Sequence, residues 1–178
     1  DKSIAHRALL FSAIADGPSC LTGLPTGADV ASTMSVLQSL GVKIEGDVTG
    51  ELRVHGRGMD GLIPSSAPLD CGNSGTTMRL CMGLLSGRSF ESALIGDASL
   101  TRRPMKRVAD PMQLMGAQIA MSDGLYPPVT IHGTPLRGID YSSPIASAQV
   151  KSALLLAGLQ ASGKTRVIEP SLSRNHTE

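Results

Sequence analysis

The chain repeats itself, and that limits its fold more than any other feature. Leu37-Gln38-Ser39-Leu40-Gly41-Val42-Lys43-Ile44 reappears as Met112-Gln113-Leu114-Met115-Gly116-Ala117-Gln118-Ile119. Leu52-Arg53-Val54-His55-Gly56 reappears as Val129-Thr130-Ile131-His132-Gly133. The first pattern reads as a helix stopped by glycine and followed by a strand. The second reads as a strand stopped by glycine. The two matches lie at nearly the same separation, so they mark one unit that occurs twice. A second series occurs three times: an apolar helix ending in glycine, then a strand. Ser3 to Gly17 precedes Ser19 to Leu24, Gly75 to Gly87 precedes Ser89 to Ile95, and Ala148 to Gly163 precedes Thr165 to Ile168. Each of these strands leads to a polar helix start, near Asp29, near Arg103-Pro104 and near Arg174; Pro104 suits the first turn of a helix. The unit is helix–strand–helix–strand–strand, with a further strand before each first helix; Val129 and Tyr141 are assigned to such flanking strands. The repeats run over about 1–58, 59–134 and 135–178, the last stopping at its second helix.

The helices Thr77–Leu85 and Ala148–Leu159 are apolar nearly all round, the mark of burial in a core. The expected fold is therefore α/β, with pseudo-threefold βαβαββ repeats, buried parallel helices and outer sheets. Symmetry would then bring the starts of Ser3–Ile14, Thr77–Leu85 and Ala148–Leu159 to one end. An ordinary doubly wound sheet is the alternative.

A length of 178 residues suits one domain or most of one, and a hydrophobic fraction of 41% argues against disorder. The aromatics amount to 2%, namely Phe11, Phe90, Tyr126 and Tyr141, too few to form stacking platforms for single-stranded nucleic acid. A net charge of +1 supplies no global field for DNA or an anionic membrane, so anion binding has to come from local clusters. Cys20, Cys71 and Cys81 match no zinc spacing and are read as reduced core thiols of a cytoplasmic protein. No apolar run is long enough to cross a bilayer, and no signal peptide is present. The chain opens on Asp1-Lys2-Ser3-Ile4-Ala5-His6-Arg7 without Met and closes on Ser173-Arg174-Asn175-His176-Thr177-Glu178. It reads as a piece of a longer protein with functional residues at both ends.

Gly158 to Thr165 fits the G-x-x-x-x-G-K-[ST] phosphate-loop pattern, but the mechanism needs a strand before the loop and a helix after it. Here the order is reversed, and the motif is rejected. His6, His55, His132 and His176 lack ligand spacing, and Asp70, Asp97 and Asp110 are scattered; neither metal nor cofactor is implied. Three helix starts carry more: Lys2-Ser3 with Arg7, Asn73-Ser74-Gly75-Thr76 with Arg79, and Ser147-Ala148-Gln149 with Lys151. Free amides and the helix dipole favour anions there. Each alone reads better as an N-cap beside a solvated cation. The same position in every repeat makes them one anion site. The run Arg102-Arg103-Pro104-Met105-Lys106-Arg107 places cations at a further helix start, against the dipole, which a bound anion would relieve.

Those residues resemble the 5-enolpyruvylshikimate-3-phosphate (EPSP) synthases. The resemblance rests on D-K-S-I-A-H-R at 1–7, G-N-S-G-T-T-M-R at 72–79 and G-D-A-S-L-T-R-R-P-M at 96–105. It continues in A-S-A-Q-V-K-S-A at 146–153 and S-R-N-H-T-E at 173–178. It implies an enzyme of two similar domains, each of three βαβαββ units, with the active site between them and this chain as most of one domain. It implies transfer of the enolpyruvyl group of phosphoenolpyruvate to the 5-hydroxyl of shikimate 3-phosphate, in aromatic amino-acid biosynthesis, with release of phosphate and no metal. It places the enzyme in the cytoplasm, or in the plastid for a plant source, as a monomer. By motif, Lys2 corresponds to the lysine that contacts both substrates. Ser3, Arg7, Ser147, Ala148, Gln149 and Arg174 correspond to shikimate 3-phosphate ligands. Gly75 and Arg103 correspond to the phosphoenolpyruvate site, with Asn73 supporting that loop and Arg79 beside it. Glyphosate is expected in the phosphoenolpyruvate position. The family's acid and base carboxylates come mainly from the other domain. The usual R-D-H-T-E closing motif has Asn175 in place of Asp; at a helix start Asn caps about as well. Three rivals remain: the sister transferase acting on UDP-N-acetylglucosamine, a non-catalytic anion-binding domain, and a structural fragment with no binding at all.

Overall fold

The computed structural model describes residues 1–178. In chain order, α1 (Lys2–Ile14), β1 (Pro18–Thr22), α2 (Ala28–Ser39), β2 (Lys43–Gly46) and β3 (Glu51–His55) come first. Next are β4 (Leu69–Asp70), α3 (Gly75–Leu85), β5 (Glu91–Ile95), a 3-10 turn at Leu100–Arg102, α4 (Lys106–Leu114), β6 (Gln118–Ser122) and β7 (Tyr126–His132). The remainder is β8 (Leu136–Arg137), β9 (Asp140–Ser142), α5 (Ala148–Gly158), β10 (Ala161–Ser162) and β11 (Arg166–Ile168).

The repeat is visible in the hydrogen bonding. Gly41 and Gly116 both take positive φ, at 86° and 101°. The Gly41 N–H donates to Gln38 O and that of Val42 to Leu37 O; Gly116 donates to Gln113 O and Ala117 to Met112 O, all at 3.0 Å. These are two copies of a Schellman stop, which needs a residue free to adopt left-handed φ. Each is followed by a strand that pairs with the central strand of its sheet. β3 lies between β1 and β2, antiparallel to both, and β7 lies likewise between β5 and β6. His55 faces Pro18 and Lys43 across its sheet; His132 faces Glu91 and Gln118 in the same register position. Alternation along these strands sends Leu52 and Val54, and Val129 and Ile131, into the core. β4 joins β5 in parallel across α3, and β9 joins β11 in parallel across α5.

The helices fill the interior between these sheets. Every residue of α3 except Thr76 and Arg79 is buried, and a single cluster of 38 buried hydrophobic residues draws on all five helices. The direction of packing follows from side-chain bonds. Lys2–Asp29 and His6–Thr33 join α1 to α2 at the same offset of 27 residues, so the two run parallel. Gln149 bonds Thr76 near the starts of α5 and α3, and Gln160 bonds the Gly83 and Leu84 carbonyls near their ends. Arg7 bonds Ser152, and Thr33 bonds Thr77. The starts of α1, α2, α3 and α5 therefore gather at one end, as the pseudo-threefold reading requires.

Four local expectations change. Val129 belongs to β7, the last strand of the second sheet, and not to a strand opening the next helix. Pro104 lies ahead of α4, which begins at Lys106; the ring forces Arg103 out of helical space, to φ −92° and ψ 124°. Arg174 opens no helix: the segment after β11 is irregular and is held by side-chain bonds from Ser173 and Thr177. The capping argument for exposed Asn175 therefore has no helix to act on. Cys20 points outward from β1, whereas Cys71 and Cys81 are buried thiols. The short pair β8–β10 was not anticipated. Gly158–Thr165 does run from helix to strand, the wrong way round for a phosphate loop. No helix is long and apolar enough to cross a membrane.

A candidate active site at the helix starts

Asp1 caps α1, its carboxylate accepting from the Ser3 and Ile4 N–H groups at 2.7 and 3.2 Å. Lys2 stands exposed beside it and reaches Asp29 at 2.6 Å. One turn further on, Arg7 is only 5% exposed. Its guanidinium donates to Thr177 Oγ1 at 2.7 Å, to Ser3 O at 2.8 Å and to Ser152 Oγ at 2.5 Å. Burial lowers its proton affinity and the nearby Glu178 carboxylate opposes this; a guanidinium stays protonated in any case.

The start of α3 is a tight turn. Gly72 has φ 54° and donates to Asp70, and Ser74 caps α3 by accepting from Thr77 N–H at 3.1 Å. Asn73 bridges opposite charges: its amide donates to Asp97 at 2.7 Å, and its carbonyl accepts from Arg103 at 2.5 Å. That bond, with N–H groups of Leu100 and Ser99 and the Arg103 charge, holds the Asp97 carboxyl below its usual range. A Cβ on Gly75 would stand 2.7 Å from Arg79 Nη1 and 3.6 Å from Arg103 Nη1. Arg79 is fixed by Gln149 Oε1 at 2.9 Å and Pro104 O at 3.2 Å. Its proton affinity is lowered by burial, then by Arg107 and Arg103. Three arginines thus converge without a carboxylate in ion-pair contact with any of them. At the start of α5, Ser147 caps Val150 N–H at 3.4 Å. Arg79, Pro104, Arg107, Val108, Ser147, Gln149 and Val150 line a mostly polar cleft of about 240 Å³ between α3, α4 and α5.

The structure brings Lys2, Ser3, Arg7, Asn73, Gly75, Arg79, Arg103, Ser147, Ala148 and Gln149 to the same end of the domain. Arg174 lies at the edge of that end: it is exposed and reaches Asp1 only at 3.8 Å. Lys151, expected as the cation of the third helix start, is instead buried and neutralised by carboxylates. Two buried polar networks that sequence reading did not anticipate lie behind this face. In one, Lys151 binds Glu169 at 3.0 Å and Glu178 at 2.6 Å. A lysine within the apolar run of α5 was the available signal. In the other, His6 Nδ1, Thr33 Oγ1, Thr77 Oγ1 and Ser74 Oγ form a chain with 2.7 Å steps. Nothing local in the sequence announces it, because its members come from three helices.

Burial pulls His6 down to about 4 from an ordinary 6.5, against a raising influence from Asp29. The sign of the pH effect follows. The folded chain resists the proton that the unfolded chain accepts, so stability is full above pH 6.5 and falls progressively toward pH 4. The loss expected over that window is about 3 kcal/mol. Urea unfolding at pH 7 and pH 5 should register about 2 kcal/mol of it, and His6→Gln should flatten the slope between them. Carboxylates with lowered values, such as Asp97, contribute stability at neutral pH and lose it only as pH falls through and below their ordinary range.

Comparison with known proteins decides the family. A family model described as EPSP synthase (3-phosphoshikimate 1-carboxyvinyltransferase) matches residues 1–178. The chain belongs to the EPSP synthase family. It is 55% identical over 178 residues to the 3-phosphoshikimate 1-carboxyvinyltransferase of Acidithiobacillus ferrooxidans, covering all of this chain and 41% of that protein. It is 56% identical over 179 residues to the enzyme so named from Halorhodospira halophila, covering 40% of that protein. Among solved structures, EPSP synthase from Acinetobacter baumannii superposes with a TM-score of 0.97 at 50% identity, over 99% of this chain and 41% of that one. The chain thus spans about 41% of the length of such EPSP synthase relatives.

Proposed function

We propose that residues 1–178 form most of one domain of an enolpyruvyl transferase, built from repeats at about 1–58, 59–134 and 135–178, with its cationic end as one wall of the active site. The full-length protein transfers the enolpyruvyl group of phosphoenolpyruvate to the 5-hydroxyl of shikimate 3-phosphate and releases phosphate, by addition and elimination through a tetrahedral intermediate. Arg7, Ser3, Ser147, Ala148 and Gln149 receive shikimate 3-phosphate, with Arg174 at the rim. Arg103 and Arg79 hold the phosphoenolpyruvate phosphate beside Gly75, and Asn73 orients Arg103. Lys2, released from Asp29, reaches both substrates.

The observation that carries this reading is the convergence of Arg79, Arg103 and Arg107 without ion-pair partners, beside the free helix starts. Substrates bearing two phosphates and two carboxylates supply the missing charge, and charge-assisted bonds to arginine are the strong ones. A second domain from the same polypeptide excludes water and supplies the proton-transferring carboxylates. Phosphate release by the full-length protein, with shikimate 3-phosphate and then UDP-N-acetylglucosamine as acceptor, tests the proposal. Turnover with the sugar nucleotide alone would overturn it. The 178-residue chain alone should bind shikimate 3-phosphate only weakly, around millimolar, because its charges face high dielectric. Titration at low and high salt measures this, and no turnover is expected until the second domain is added in trans.

Gly75→Ala should separate inhibitor from substrate. The new methyl would crowd Arg79 Nη1 at 2.7 Å, where the flexible guanidinium can shift slightly. Glyphosate, longer than phosphoenolpyruvate, should lose about tenfold more affinity, or roughly 1.4 kcal/mol. Equal losses for both ligands would count against this placement of the phosphate.

A further inference from the structure

Behind the start of α5 sits a buried carboxylate to which the proposed chemistry gives no role. The Glu169 side chain, on the segment just after β11, is 10% exposed. Its Oε1 accepts from the Ser147 backbone N–H at 3.1 Å. Its Oε2 accepts from Ser173 Oγ at 2.8 Å and from Lys151 Nζ at 3.0 Å. Burial pushes Glu169 up, but Ser173, Lys151 and the Ser147 N–H together hold its carboxyl below the ordinary range. Lys151, equally buried, completes its shell with Glu178.

We propose that Glu169 is a positioning residue for shikimate 3-phosphate, anchoring the backbone turn that presents Ser147, Ala148 and Gln149. The inference rests on the reading of that turn as a substrate wall. Ser147 lies outside the helix, at φ −152° and ψ 107°. Its side chain caps Val150 and the Gln149 side chain is held by Thr76 and Arg79, but the Ser147 backbone N–H is held by Glu169 alone. The Ser147 N–H points inward to Glu169, while the Ala148 and Gln149 N–H groups have no acceptor within the protein. Those two amides belong to the free first turn of α5, which is where an anion gains most from the helix. With the Ser147 N–H turned inward, its neighbours are left facing the cleft. Ser173 ties the residue before Arg174 to the same carboxylate, so one group sets both the α5 turn and the rim arginine. An ion pair at this depth adds little net stability and is costly to break from one side, which suits an orienting role better than a stabilising one.

The test uses the full-length protein. Glu169→Ala is expected to raise KM for shikimate 3-phosphate about tenfold or more, the scale of losing a buried charge-assisted bond. KM for phosphoenolpyruvate, at saturating acceptor, should stay within about twofold, since no residue assigned to that site touches Glu169. Glu169→Gln combined with Lys151→Met keeps an acceptor for the Ser147 N–H and removes an ammonium that would otherwise be left with Glu178 as its single carboxylate partner. It should recover most of the loss, and it serves as the readout if Glu169→Ala fails to fold. Parallel rises in both KM values, or an unchanged KM for shikimate 3-phosphate, would overturn the proposal. Hydrogen–deuterium exchange over 145–150 reads the anchor without turnover. Faster exchange in Glu169→Ala is expected, and unchanged exchange overturns the proposal whatever the activity. A wild-type protein that turns over neither substrate, with exchange responding as expected, would tell against the enolpyruvyl transferase reading and leave the anchor standing.

Discussion

Gly83→Ala is expected to destabilise the chain by about 2–3 kcal/mol, although alanine is the better helix former by about 1 kcal/mol. Gly83 is where α3 meets α5 backbone to backbone. An added Cβ would overlap the Ala153 carbonyl oxygen and stand 2.9 Å from its carbon and 3.0 Å from its Cα. No side chain there can rotate away, so the helices must separate. Separation would loosen the bonds from Gln149 to Thr76 and Arg79, and with them the cleft. The substitution should therefore weaken shikimate 3-phosphate binding as well as lower the urea midpoint. Gly50→Ala, with only the Asp47 carbonyl as near as 4.0 Å, is the control and should change stability by no more than about 0.5 kcal/mol. Equal midpoints for the two variants would mean that α3 and α5 do not pack as described.

Arg7→Ala should have the largest effect on activity. The guanidinium contributes three hydrogen bonds, to Ser3, Ser152 and Thr177, in a nearly closed environment. Removal takes a donor from the Ser152 and Thr177 hydroxyls, which keep only each other and the Ala148 carbonyl, withdraws the charge proposed to meet the substrate phosphate, and leaves a void between α1 and α5. A fall of about 100-fold or more in kcat/KM for shikimate 3-phosphate is expected, corresponding to roughly 2.7 kcal/mol. Arg7→Lys should recover little of it, because an ammonium cannot reproduce a fork aimed in three directions. Steady-state kinetics of the full-length variants decide the matter. A lysine variant near wild-type activity would show that charge alone suffices at this position.

The repeat was legible because glycine has few substitutes at a left-handed helix stop: Gly41 and Gly116 announce the same turn wherever it recurs. Buried helices were legible from apolar residues on every face. The helix starts were legible because caps and cations lie within one turn of each other in sequence. Other features depend on residues far apart. Nothing near Glu169 or Lys151 predicts that they meet, and the His6–Thr33–Thr77–Ser74 chain exists only once three helices have packed. The irregular segment carrying Arg174 was misread as a helix because its polar residues resemble a cap. Its order comes instead from Glu169, Arg7 and Lys151.

The bond from Arg7 to Thr177 closes a loop of 170 residues, which places it among the contacts of highest order that this chain can make. Loop-closure entropy makes such a contact late to form. A ribosome releases Arg7 long before Thr177 exists, so the guanidinium meets the interior without its last partner. The apolar helices can collapse in the meantime, but the wall proposed to hold phosphate cannot take its final shape. An anionic ligand that binds only the closed arrangement would draw the equilibrium toward it by mass action. A ligand of that kind would act on how completely the terminal segment stays docked after refolding, and not on how fast it arrives.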